Sequence, residues 1–127
     1  MTRIWVTKAT VLAIHGELLV EHGGRPGLRD ENGLESALAR PLHLEAYDKP
    51  DIYALAACYA CGLAQRQHFF DGNKRVSAVV TELFLNLNGI DLVADDVEIV
   101  ATWMALASNR MTEQELSIWL RKRTAPI

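Results

Sequence analysis

Apolar residues recur every three or four positions through most of the chain, the period of a helix that buries one face. Val11, Ile14 and Leu18, with Leu19 beside them, define a first helix that Thr7 caps and that runs to about His22. Ile4-Trp5-Val6 before it reads as a short strand or an extended lead-in. Gly23-Gly24 ends the helix, and Arg25-Pro26-Gly27 continues as a turn. A shorter helix follows, capped by Asp30 and carrying Leu34, Ala37 and Leu38. Pro41 is expected to stop it, leaving Leu42 to Lys49 as a loop or a single irregular turn that holds His43 and Tyr47.

Pro50-Asp51 opens the next helix with a proline and an early carboxylate. Its positions Ile52, Leu55, Ala56, Tyr59, Gly62 and Leu63 repeat at helical spacing, and alanines between them keep it slim enough to be surrounded by neighbours. After a polar loop comes a helix with Val76, Val79, Val80, Leu83, Phe84 and Leu87, ended by Asn88-Gly89. Ile90 to Val93 reads as a brief extended connector. Asp95 caps a helix to about Ser108 whose apolar face is expected to be Val97, Val100, Ala101, Met104 and Leu106 or Ala107. Thr112 and Glu115 have capping-box spacing and start a last helix with Leu116, Trp119 and Leu120. The pattern predicts one all-α domain over residues 1–127, a compact bundle of about six helices around a central one.

Half of the 127 residues are apolar, enough for a real core without metals or staples. The net charge of -3 argues against a protein that coats nucleic acid, and no basic recognition helix is visible. Arg121, Lys122 and Arg123 cluster at a helix C-terminus, where the dipole favours cations. No stretch reaches the ~18 apolar residues that span a bilayer, and Met1 to Val6 lacks the marks of a signal peptide, so a cytoplasmic protein is expected. Cys58 and Cys61 form a C-x-x-C, but it lies mid-helix with no second Cys/His pair at zinc spacing. The reading is a pair of small buried hydrophobes. His15, His22 and His43 have no companion ligands and read as ordinary surface or structural residues.

The polar loop between the two most apolar helices carries the candidate chemistry. Gly72 permits a tight turn, and the next helix starts at about Asn73, so free N–H groups and the positive dipole end face that turn. Lys74 and Arg75 put two cations where the dipole disfavours them, an arrangement an anion relieves. Asp71 supplies the single carboxylate that Mg²⁺ commonly takes when phosphate oxygens and water complete its shell. The alternative for the spacing alone is an Asx-type turn with solvated cations.

The segment Phe69-Phe70-Asp71-Gly72-Asn73-Lys74-Arg75 resembles the Fic/Doc signature H-x-F-x-[DE]-[GA]-N-[GK]-R. Gly23 to Arg29, Leu34 to Pro41, Tyr47 to Asp51 and Leu87-Asn88-Gly89 are similar to the Doc (death-on-curing) branch of that family. The resemblance implies a Fic-like all-α fold and transfer of part of ATP to a protein hydroxyl. It implies that Asp71 binds Mg²⁺, that Gly72 and Asn73 form the anion turn, and that Lys74 and Arg75 hold phosphates. Phe69 is then the buried anchor of the motif. Lysine at 74 goes with Doc, for which transfer of the terminal phosphate to elongation factor Tu is implied. Gly72 is shared with the AMP-transferring branch, which keeps AMP transfer as the alternative.

The signature's histidine, its general base, falls on Gln67, and a glutamine amide takes no proton at neutral pH. Three accounts are open: an inactivated form, a naturally impaired protein retained as a binding partner, or a one-residue shift that makes His68 the base with Phe70 as anchor. A non-catalytic nucleotide- or partner-binding module is accordingly the rival to the enzyme. His43 and Tyr47 lie where the resemblance places the edge that docks the target. The inhibitory [ST]-x-x-x-E-[GN] helix of many relatives is absent: Glu31-Asn32 is preceded at the fourth position by Gly27. The resemblance therefore implies a separate antitoxin supplied in trans, of the Phd type, whose helical tail needs an apolar groove.

Overall fold

The computed structural model describes residues 2–127. The elements in order are α1 (Lys8–His22), α2 (Glu31–Asp48), α3 (Ile52–Ala64), α4 (Asn73–Leu87), β1 (Ile90–Leu92), α5 (Asp96–Ala107), α6 (Glu113–Lys122) and β2 (Thr124–Pro126). The six described helices bear out the all-α bundle, and β1 and β2 add a small antiparallel ladder in the register Ile90↔Pro126, Asp91↔Ala125 and Leu92↔Thr124.

Helix α3 is the axis. Leu55, Ala56, Ala57, Cys58, Tyr59 and Ala60 are fully buried, and α2, α4, α5 and α6 all pack on it. Its small residues make that possible: a Cβ at Gly62 would stand 3.2 Å from Cβ of Ala37, so α2 and α3 touch nearly backbone to backbone. The α3–α4–α5 seam is tied by polar groups. Ser77 Oγ donates to the Ala60 carbonyl at 2.8 Å and accepts from the Trp103 indole N–H at 2.8 Å. Satisfying that N–H is what allows so large a ring to be buried.

Three expectations change. First, α2 does not stop at Pro41 but runs on to Asp48, so His43 and Tyr47 lie exposed on a helix rather than in a loop. The backbone bond lost at the proline is offset by tertiary anchors beyond it: Leu44 packs on the core and Glu45 pairs with Arg3 at 3.1 Å. Second, the buried face of α5 is Thr102, Trp103 and Leu106, while Val97, Val100 and Met104 are 80%, 59% and 52% exposed. The wide Trp103 ring, not the number of small apolar residues, decides which side of α5 turns inward. Third, α4 buries Ser77, Thr81 and Leu85 along with Val76, Val80 and Phe84, whereas Val79 and Leu87 are exposed.

The terminal cations are engaged locally. Arg121 pairs with Asp51 and lies over Tyr53, and Arg123 pairs with Glu98 at 2.8 Å and lies over Trp119. No helix among the described residues is long and apolar enough to cross a membrane.

Candidate functional site

The loop between α3 and α4 is held as a strand-like segment before it turns. Leu28 and Phe69 form an antiparallel bridge, and the His68 carbonyl accepts from the N–H groups of Arg29 and Asp30 at 2.7 and 3.0 Å. Phe69 is buried, its ring stacked face to face on His15 with centroids 3.8 Å apart. Phe70, one residue on, is only half-buried and lies under the Arg25 guanidinium at 4.0 Å. The deep aromatic position is thus filled by Phe69.

Asn73, the first residue of α4, closes the loop on itself. Its Oδ1 accepts from the Phe69 N–H at 3.0 Å and its Nδ2 donates to the Phe69 carbonyl at 2.9 Å. Between them the chain turns at Gly72, which has φ 85°, a left-handed conformation that favours glycine. The Asp71 carbonyl accepts from His15 Nε2 at 2.9 Å, and Asp71 Oδ2 accepts from the Arg25 N–H at 2.7 Å. That approach needs Gly24, whose Cβ would stand 3.2 Å from both Asp71 Cβ and Leu19 Cδ2.

Helix α4 starts unlike the other described helices. Thr7, Asp30, Asp51, Asp95 and Thr112 each place a side-chain oxygen on an N–H of their helix, whereas the α4 cap is Gly72 with no side-chain bond. Its first N–H groups have no intrahelical acceptors and its first turn holds no acid, only Lys74 and Arg75. Gly72, Asn73, Lys74 and Arg75 form the polar wall of a cleft of about 500 Å³ between α1, α4 and α5. Its apolar wall includes Leu18, Val79, Ile99, Val100 and Met104. The unexpectedly exposed face of α5 is therefore one side of this cleft.

The donors suit a hard cation bound with its substrate. Arg25 occupies one oxygen of Asp71 and leaves Oδ1 for a metal, while no cluster of three or more metal-ligating side chains exists among the described residues. A single carboxylate fits Mg²⁺ only where phosphate oxygens and water complete its shell.

The front of the loop is different. Gln67 is exposed, with its backbone carbonyl 3.5 Å from Arg29 Nη1. His68 is 1% exposed and points away from the cleft, its Nε2 donating to the Gly62 carbonyl at 2.6 Å. Its other nitrogen, Nδ1, is sealed from solvent without a partner. The shifted-loop account, with His68 as base and Phe70 as anchor, does not match this geometry, because Phe69 already fills the anchor site and His68 is locked inward.

Cys58 and Cys61 are free, buried thiols. Burial pushes their pKa values up to about 11 and about 12, so neither is a ready nucleophile or metal ligand. Sequence reasoning passed over His15 as ordinary. Its signal was a polar residue at the spacing of Val11 and Leu18, on the buried side of α1. The hold of Gly24 and Arg25 on Asp71 left no local signal, since it joins residues 46 positions apart.

Residues 5–85 match the Fic/DOC family, and the chain belongs to that family. Its likeness is to the Doc branch. It is 26% identical to "Protein kinase doc" of Escherichia phage P1 over 118 residues, covering 92% of this chain and 93% of that protein. It is 35% identical to "Toxin Doc" of Mycolicibacterium smegmatis over 80 residues, covering 60% of each chain.

Proposed function

We propose that the chain is a Doc-type toxin of the cytoplasm whose site binds Mg·ATP and is shaped to pass the terminal phosphate to a hydroxyl of a protein target, elongation factor Tu by resemblance. The observation that carries this reading is the start of α4: an uncapped helix N-terminus with two cations in its first turn and the Asp71 carboxylate alongside. In this reading the first α4 amides, Lys74 and Arg75 hold the phosphates, Arg75 with a forked pair of hydrogen bonds. Asp71 Oδ1 would hold Mg²⁺, which when bound would supply positive charge beside the phosphates. Asn73 keeps the turn closed through Phe69.

Transfer forms a bond from the target oxygen to the γ-phosphorus and breaks the bond to the bridging oxygen, releasing ADP. The hydroxyl proton then needs an acceptor. Gln67 offers only an amide, so binding outlasts turnover in this chain. Lys74 favours phosphate transfer over the AMP transfer of Gly-bearing relatives. Impairment at Gln67 also supports the second reading, a nucleotide- or partner-binding module without turnover.

The likeness to Doc toxins supports control by an antitoxin in trans, of the Phd type. The apolar wall of the cleft, with Val100 and Met104 beside the phosphate turn, fits an amphipathic helix that would block the site. One experiment tests the whole reading: calorimetric titration with Mg·ATP, then incubation with elongation factor Tu and ATP labelled at the α- or γ-position, for the protein and its Gln67→His variant. The expected result is binding by both and γ-label transfer rising in the variant. α-Label would select AMP transfer, binding without label in either protein would select the binding module, and no binding would defeat the reading.

A further inference from the structure

We infer that His15 is the positioning residue of the phosphate turn, fixing the Asp71–Gly72 peptide so that its N–H faces the anion side. A carbonyl oxygen only accepts, so the 2.9 Å contact from Nε2 to the Asp71 carbonyl requires the proton on Nε2. In a planar trans peptide the carbonyl and the following N–H point in opposite directions. Drawing the Asp71 carbonyl inward to His15 therefore turns the Gly72 N–H outward, and Gly72 lines the cleft with Lys74 and Arg75. Reversing this peptide would aim a carbonyl, a negative dipole end, at the place a phosphate oxygen takes.

This peptide needs a lock. Gly72 has no Cβ to resist reversal, and α4 has no side-chain cap that would hold its first turn. Asn73 secures only the Phe69 end of the loop, and Arg25 grips the Asp71 side chain rather than its backbone. His15 alone among the described side chains bonds the backbone of the turn itself. Its own placement is rigid: it is 5% exposed, carried by α1, and stacked on the buried Phe69 ring at 3.8 Å. Gly72 lies beside it as well: a Cβ there would stand 3.7 Å from His15 Cδ2.

The test separates the N–H from the ring, and its nucleotide arm rests on the proposed Mg·ATP site. His15→Phe keeps the stack on Phe69 and removes the donor; His15→Gln keeps an N–H at the Nε2 position and removes the ring. The loss of one such bond is expected to weaken Mg·ATP binding about 3- to 10-fold in His15→Phe, with His15→Gln restoring it. In ligand-free protein, hydrogen exchange over residues 68–75 is expected to quicken in His15→Phe and return towards the parent in His15→Gln. Imidazole nitrogen NMR on the parent needs no variant and is expected to find Nε2 protonated.

A proton on Nδ1 instead, or exchange and affinity unchanged in His15→Phe, overturns the inference. So does His15→Gln as weak as His15→Phe, because a donor at the Nε2 position would then not be what holds the turn. If the parent binds no Mg·ATP, the nucleotide reading falls, while the exchange and NMR results still decide the role of His15.

Discussion

Helices α3 and α4 are neighbours, packed along their length, yet they begin in opposite ways. Helix α3 starts on Asp51, whose carboxylate accepts from the Ala54 N–H at 2.8 Å and pairs with Arg121, so its dipole is answered inside the protein. Helix α4 starts on a glycine with no side-chain acceptor and with Lys74 and Arg75 in the first turn. One helix end is finished by the fold; the other is left without an acceptor, which in the proposed function an anion supplies.

That contrast breaks most visibly at turnover. Gln67→His is expected to raise γ-phosphate transfer by ~10²–10⁴-fold while leaving Mg·ATP affinity unchanged, read by label transfer and calorimetry. Arg75→Ala is expected to weaken Mg·ATP binding by about 10- to 100-fold, the range for bonds to a charged group, yet to raise stability by ~0.3–1 kcal/mol as a cation leaves the positive helix end. Asp51→Ala is expected to do the reverse, losing ~1 kcal/mol of stability in urea unfolding with no change in nucleotide affinity. Equal effects at the two helix ends would erase the distinction.

The last prediction concerns the finished side, in the core of α3, and is silent at neutral pH. The Cys58 and Cys61 thiols are pushed up by burial to about 11 and about 12, against an ordinary 9.0. An unfolded chain then ionises first, so their contribution is constant below pH 9.0 and stability falls as pH rises from there towards about 12. Thermal melts across alkaline pH should show the decline, and Cys58→Ala with Cys61→Ala should flatten it. Neither thiol is expected to react with a thiol reagent at neutral pH until the protein is unfolded.

What could be read from the chain follows the reach of each interaction. Caps act over three residues, so Thr7, Asp30, Asp95 and Thr112 were legible and each makes its expected bond, while Asp51, expected as an early-turn carboxylate, is itself the cap of α3. The glycine turn into α4 was legible for the same reason: Asp71 to Arg75 is contiguous. What escaped depends on distant partners. The run of α2 past Pro41 is accompanied by Leu44 on the core and the Glu45–Arg3 pair, and the inward side of α5 by Ser77 receiving the Trp103 N–H. His15 acts on a residue 56 positions away, beyond the range of any local pattern.

Trp103 has a further consequence. It borders the cleft while its indole N–H is tied to Ser77 on α4, three residues beyond Lys74 and two beyond Arg75. The protein thus carries a fluorophore wired to the helix whose first turn lines the cleft. Its neighbour Trp119 lies edge-on at 6.1 Å, close enough to share excitation, and Trp5 sits apart against Phe84. Occupation of the cleft, by nucleotide or by an antitoxin helix, should register as a change in intrinsic emission without any label.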